Sequence, residues 1–259
     1  MAALQQHPLF AGAVRRLGGD AEIEDGVLVL RRRICGVPVS LTTRHAGPPP
    51  PVLLVNAERP DDAVSLAGAG YAQIMTPAYV AELDLSRPLS TIRAGLNAKW
   101  RNRLVVAERA GTAPTLRAFD DRDMTLLHAE ARQRRARGYR ALPSALIPAL
   151  AAEDRDAVLS VRAAGAGMIF VRHGDTATYL LGLACPEARA SEAHRLMLWS
   201  AIGHLKALGV TTLDLGTVDT ETSPGLARFK IGTGATIRLL GGTWLRLPRW
   251  RRAGGRASA

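Results

Sequence analysis

The segment VTTLDLGTVDTETSPGLARFKIGTGA, residues 210 to 235, sets a carboxylate and an amine where one ligand could meet both. Leu213 and Leu215 alternate with Asp214, so a strand here sends the leucines to one face and the carboxylate to the other. Gly216 and the Thr, Asp and Ser residues through Ser223 then break the strand into a polar loop, the usual place for groups that contact ligands. Phe229 and Lys230 follow. Gly232 and Gly234 let the main chain approach a partner closely, and the pair fits a strand or turn that presents a side chain. A carboxylate can orient an amine or accept its proton when geometry and pKa suit. A lysine can place fixed charge beside a developing anion. By residue type alone, a core phenylalanine beside an exposed lysine explains Phe229 and Lys230 better, and a loop-capping aspartate explains Asp214 equally well.

A framework must bring these groups together. VLVLRRRI and VPVSLTT read as two short strands separated by Cys35 and Gly36. Four prolines, Pro48 to Pro51, precede an apolar strand VLLV. From Pro88 the period becomes helical: Leu89, Ile92, Leu96, Trp100 and Ala107 form one stripe of a helix ending near Gly111. Arg103, seven residues after Leu96, falls inside that stripe, where a guanidinium is costly unless an anion meets it. Lys99 lies one turn earlier on the stripe's edge. The two repel slightly on an isolated helix, which favours a shared anion or water; a snorkelling Arg103 paired with a local carboxylate is an equal alternative. A new unit begins near Asp120 with a polar helix bearing a basic face. Helices around Pro143 to Ala152 follow, then strands near 158–163, 167–173 and 176–183. A helix from Ser191, its expected N-cap, to Leu208 leads to the Val210 strand and a last strand at 236–240. Alternating strands and helices imply a mixed α/β sheet.

At 259 residues and 47% hydrophobic composition the chain can bury a sizeable core. It has no apolar run of about 18 residues and no signal-like start, so a cytoplasmic protein without a transmembrane segment is expected. Cys35 and Cys185 are too few for a disulfide framework and are expected to be buried. Neither they nor the histidines have metal spacing, so no metal is implied. The net charge of +11 and pI near 10.8 favour phosphate-bearing partners without choosing among nucleic acid, nucleotide and anionic lipid.

The helix AHRLMLWSAI, the strand ending at Asp214–Leu215–Gly216, and Phe229–Lys230 with Gly232 and Gly234 follow one another in an order that resembles the C-terminal half of the Fem-like acyltransferases. These are a branch of the Gcn5-related N-acyltransferase (GNAT) superfamily, best known as aminoacyl-tRNA-dependent enzymes that build peptidoglycan cross-bridges. LNAKWRNRLVVAERAG, residues 96 to 111, resembles the basic helix joining the family's two halves. QHPLFAGAVRRLGG and the turn at His45 to Pro49 are similar to parts of the first half. The resemblance implies an α/β fold with a GNAT-like mixed sheet flanked by helices, in two halves. An abbreviated first half spans 1–95, the linking helix and its connection 96–119, and a complete second half 120–245; a basic, disordered tail follows at 246–259.

It also implies function. Transfer of an acyl or aminoacyl group to an amine is expected, with a cell-wall precursor as one acceptor class, small or lipid-linked. Lys230 is matched to transition-state stabilisation or donor positioning, with Asp214 as its catalytic companion. Phe229, Gly216, Tyr139 and Tyr179 are expected to line the substrate cleft, and Lys99 and Arg103 to meet an anionic part of the acceptor. No tightly bound cofactor is implied, only a donor co-substrate, aminoacyl-tRNA or acyl-CoA. Acyl-CoA enzymes of the superfamily use a glycine-rich turn before the corresponding helix to grip pyrophosphate. Here the stretch is RASEAH, Arg189 to His194, with Glu192 and His194 in the glycine places. That favours a charged tRNA drawn by the basic surface, with peripheral contact to the membrane surface also expected. The alternatives are a CoA-dependent N-acetyltransferase and a catalytically silent module that binds an anionic ligand.

Overall fold

The computed structural model describes residues 3–111, 113–138 and 142–247. It begins with α1 (Pro8–Arg16) and a run of strands, β1 (Asp20–Glu24), β2 (Val27–Ile34), β3 (Val37–His45) and β4 (Leu54–Ala57), followed by α2 (Asp62–Gly68) and β5 (Tyr71–Met75). Cys35 and Gly36 both take positive φ, +50° and +80°, the geometry of a tight two-residue hairpin turn between β2 and β3. Cys35 is therefore exposed at the turn and Cys185 half-buried, which corrects the expectation of two buried thiols.

The chain continues with β6 (Tyr79–Asp84), α3 (Leu89–Gly95), α4 (Ala98–Arg109), β7 (Thr115–Ala118), α5 (Met124–Arg137), α6 (Leu146–Glu153), β8 (Val158–Ala163), β9 (Ala166–His173) and β10 (Thr176–Ala184). After these come α7 (Pro186–Ala190), α8 (Ala193–Ala207), β11 (Thr212–Val218), α9 (Pro224–Ile231), β12 (Thr236–Leu239) and β13 (Gly242–Arg246). A seven-stranded mixed sheet runs β12-β6-β11-β10-β9-β8-β7, and a six-stranded one runs β1-β2-β3-β4-β13-β5. The last strand thus returns to the first sheet, where Gly242–Leu245 pairs with β4. Arg246, expected to open the tail, closes that strand.

The larger sheet is buried on both faces. One face packs Leu213, Leu215, Met168 and Phe170 against Trp100, Leu104, Met197 and Ile202 of α4 and α8. The other packs Ile169, Val171 and Leu181 against α1, α5 and α6. Alternation along β11 turns Asp214 away from the leucine face, as the sequence pattern requires.

Three local expectations give way. The helix expected from Pro88 to Gly111 is broken at Leu96–Asn97, because the Asn97 side chain accepts from the Lys99 N–H (3.0 Å) as an N-cap and its own N–H donates to the Gly232 carbonyl (3.0 Å). The break rotates α4 so that Leu104, fully buried, takes the inward place while the Arg103 side chain stays 46% exposed. Ser191 ends α7 rather than capping α8; Glu192, in the left-handed region at φ +58°, precedes α8. Phe229 and Lys230 lie on a helix, not a strand or turn, because Pro224 occupies its first turn, where a missing N–H costs nothing.

Candidate active site

The strands β10 and β11 run parallel and pair at only three positions, ending with Thr178 opposite Asp214. Beyond them β10 continues against β9 and β11 against β6, so the two parallel strands part. At the parting, β11 carries a bulge: Asp214 faces Glu82 and Thr217 faces Val80, leaving Leu215 and Gly216 opposite one residue. Gly216 takes φ +77°, a conformation that glycine adopts without strain. Its N–H, released from the ladder, donates to Asp214 Oδ1 (2.7 Å).

Lys230 comes to this bulge from α9. Its Nζ donates to the Thr217 carbonyl (2.7 Å), and a Cβ on Gly216 would lie 3.7 Å from that nitrogen. The lysine is only 5% exposed. Burial lowers its pKa to about 8, against the opposing pull of the Asp214 charge. At neutral pH it therefore remains a cation, poorly hydrated and able to give hydrogen bonds. Phe229, beside it, packs edge-on to His194 (6.1 Å) and tilted against Trp100 (6.0 Å).

Asp214 is buried at 4% exposure, so the surface loop-cap alternative does not apply. Burial raises its pKa; the charge of Arg44 and the Gly216 N–H pull the other way. Arg44 sits at a bulge of β3 between Thr43 and His45, with φ +56°. It crosses from the first sheet to donate to Asp214 Oδ2 (3.2 Å) and, through Nη2, to Glu58 Oε1 (3.0 Å), with a second contact from Nε to Glu58. Arg238 of β12 closes the cluster by donating to Glu82 Oε1 (2.5 Å) and Glu58 Oε1 (2.5 Å). Sequence reading missed Arg44, Glu58, Glu82 and Arg238. Their signal, charges on or just after strands otherwise turned inward, becomes visible only once the pairing of β3, β4, β6 and β12 is known.

The other expected residues lie around this centre. Tyr179, one residue past the last β10–β11 pair, stacks tilted on Phe170 (5.4 Å), and Gly182 leaves room for its hydroxyl. Lys99 and Arg103 stand on the exposed side of α4. Arg103 Nη1 donates to Glu192 Oε1 (2.7 Å), and Arg195 holds the other oxygen of the same carboxylate. Arg195 also lies over the Trp100 ring at 5.7 Å. Tyr139 lies outside the described residues. Lys230, Asp214 and Gly216 thus meet at one bulge, Phe229 packs beside them against α4 and α8, and Lys99 and Arg103 stand on the exposed side of α4. Among the described residues no group of three or more His, Cys, Asp or Glu could hold a metal ion, and no helix is long and apolar enough to cross a membrane.

Residues 96–230 match the acetyltransferase (GNAT) domain family. The structure is similar to FemX, with a TM-score of 0.74 at 11% identity over 95% of this chain and 92% of that one. It is also similar to the C-terminal domain of a putative lysylphosphatidylglycerol synthetase from Agrobacterium fabrum, with a TM-score of 0.58 at 14% identity over 94% and 88% of the two chains. L-PGS from Bacillus licheniformis gives a TM-score of 0.57 at 13% identity over 96% and 94%. At these identities the likeness is one of fold, and the two mixed sheets match a FemX-like double GNAT fold. No curated protein matches the chain by sequence.

Proposed function

Because the chain belongs to the acetyltransferase (GNAT) domain family, we propose that it moves an acyl or aminoacyl group to an amine, with the Lys230 ammonium meeting the charge that develops on the carbonyl. The observation that carries this reading is the placement of a buried, cationic Lys230 at the bulge where β10 and β11 part. Attack of the amine on the carbonyl carbon moves an electron pair onto the oxygen; collapse of that oxyanion expels the donor's leaving group, which takes up the proton lost by the amine. An ammonium fixed beforehand stabilises the oxyanion without reorganising at the moment of reaction. Asp214, held by Arg44, is placed to keep that lysine charged. In this reading Phe229, Gly216 and Tyr179 line the approach and Lys99 offers an exposed charge to an anionic part of the acceptor, while Arg103 is paired with a local carboxylate, Glu192.

The donor favoured here is an aminoacyl-tRNA. Glu192, at the start of α8, is engaged by Arg103 and Arg195 and puts a carboxylate where a pyrophosphate cradle would need open N–H groups. The resemblance to bridge-building enzymes supports a cell-wall precursor as acceptor. The fold shared with a putative lysylphosphatidylglycerol synthetase supports testing lipid-linked acceptors too. Titration of tRNA and acetyl-CoA at about 50 and 200 mM salt separates the donors, since several Lys and Arg contacts to phosphates release counterions together. Steeply salt-dependent tRNA binding is expected. Tight, nearly salt-independent acetyl-CoA binding without tRNA affinity would instead establish a CoA enzyme, and binding of ligand without turnover by any donor would favour a silent module.

A further inference from the structure

Arg44 is connected to the lysine's surroundings by a short series of hydrogen bonds that joins the two sheets. Its guanidinium donates to Asp214 Oδ2 (3.2 Å); Asp214 Oδ1 accepts from the Gly216 N–H (2.7 Å); and Lys230 Nζ, 3.7 Å from where a Cβ on Gly216 would lie, donates to the next carbonyl, that of Thr217 (2.7 Å). The bulge in β3 that turns Arg44 toward the second sheet puts a non-glycine residue at φ +56°. Such a conformation persists only where surrounding contacts enforce it, and it recurs at functional sites.

Charge counting shows what these contacts accomplish. Three carboxylates, Glu58 after β4, Glu82 on β6 and Asp214 on β11, share two guanidiniums, Arg44 and Arg238. Lys230 is the third cation beside them, and Asp214 is the charge that bears on it. Around Phe229, the lysine's neighbour on α9, α8 presents His194 and α4 presents Trp100, and Arg228, on α9 itself, donates to the Pro224 carbonyl. We infer that Arg44 is a positioning residue for the transfer reaction: it favours the carboxylate form of Asp214 against the cost of its burial and turns it toward the Gly216 bulge, and so helps to keep the Lys230 side chain seated there as an ammonium. This deepens the reading that Lys230 meets the substrate. Without Arg44 three carboxylates share one guanidinium, and Asp214, the most buried of them, takes a proton. The charge opposing Lys230 then disappears, and burial acts on the amine unchecked.

The chain has only three lysines, Lys99, Lys206 and Lys230, so side-chain nitrogen NMR of the full-length protein can follow each one without any substrate. Lys99 is exposed, and Lys206 Nζ donates to the Leu85 carbonyl (2.8 Å) and, among the described residues, makes no ion pair with the cluster's carboxylates; both serve as internal references. In Arg44→Ala the titration midpoint of Lys230 should fall by about one pH unit, with Lys99 and Lys206 unmoved. Asp214→Asn should lower it as well, and the double variant should lower it no further than Asp214→Asn alone. Arg44→Lys, which keeps the cation, should restore most of the midpoint, and Arg44→Gln should not; this pair decides the matter if Arg44→Ala fails to fold. A folded Arg44→Ala whose Lys230 midpoint is unmoved or raised would overturn the inference. So would an Arg44 effect that persists in full beside Asp214→Asn. Because no turnover is measured, failure here leaves the acyl-transfer reading standing, and loss of that reading leaves the titration result intact.

Discussion

The indole N–H of Trp100 donates to the backbone carbonyl of Phe229 (3.1 Å), and the two rings lie 6.0 Å apart. One contact thus fastens α4 to α9, the helix that carries Lys230. Trp100 is 2% exposed and supports Arg195 on its face as well.

Trp100→Phe keeps most of the packing and loses the hydrogen bond, at an expected cost of about 1 kcal/mol. Trp100→Ala removes the ring and should cost about 3–5 kcal/mol. Urea denaturation of both variants checks the ranking. Equal losses would mean that the ring contributes nothing beyond its N–H.

Gly216→Ala adds a methyl group where φ is +77° and where the new carbon would lie 3.7 Å from Lys230 Nζ. The left-handed conformation should cost about 1–2 kcal/mol in an alanine, and relief of that strain moves the bulge away from the lysine. Turnover should fall more than donor affinity. A variant as active as the wild type would show that the bulge geometry does not position the amine.

Much of this arrangement is legible in the sequence. Alternation of Leu213, Asp214 and Leu215 gives the strand and its two faces, and Cys35–Gly36 gives the break between β2 and β3. Other features depend on contacts between distant segments. Asn97 breaks the linking helix by capping its second part and binding Gly232, so Arg103 leaves the stripe that a continuous helix would bury. Pro224 turns the Phe229–Lys230 pair into a helix that reaches the bulge from above the strand end, a geometry that local spacing does not contain. Arg44 meets Asp214 across 170 residues and two sheets, and only β pairing brings them together.

Histidine burial makes the fold sensitive to acid. His173 is 3% exposed, lies 2.8 Å from Thr178 Oγ1, and is pushed down to about 4 by burial and by His7. His194 is likewise pushed to about 4, by burial and then by the charge of Arg189. Unfolded histidine takes its proton near pH 6.5, so each neutral ring contributes stability above that value and loses it as pH falls toward 4. Stability should drop between pH 6.5 and 4 by on the order of 2 kcal/mol for each ring. His173→Gln should flatten that slope in denaturation curves, and an unchanged slope would contradict the assignment.

Lys230 imposes the opposite kind of burden. Its folded pKa of about 8 lies below the ordinary 10.5, so the unfolded chain binds the proton more tightly, and stability rises as pH climbs from about 8 toward 10.5. Below pH 8 the burial cost is carried in full. Lys230→Met should therefore be more stable than the wild type at pH 7 by on the order of 2 kcal/mol, with the gap closing in alkaline solution. A variant less stable at pH 7 would show that the Thr217 hydrogen bond outweighs the charge burial.

The most direct measurement of the central claim is the turnover of wild type and Lys230→Ala with the donor identified by titration, followed from pH 6 to 10. Loss of the ammonium should lower turnover by about a hundredfold or more while donor affinity is kept. Wild-type activity should decline as pH rises through about 8, where Lys230 gives up its proton. Undiminished turnover in Lys230→Ala, or wild-type activity that keeps rising through that range, would contradict the account.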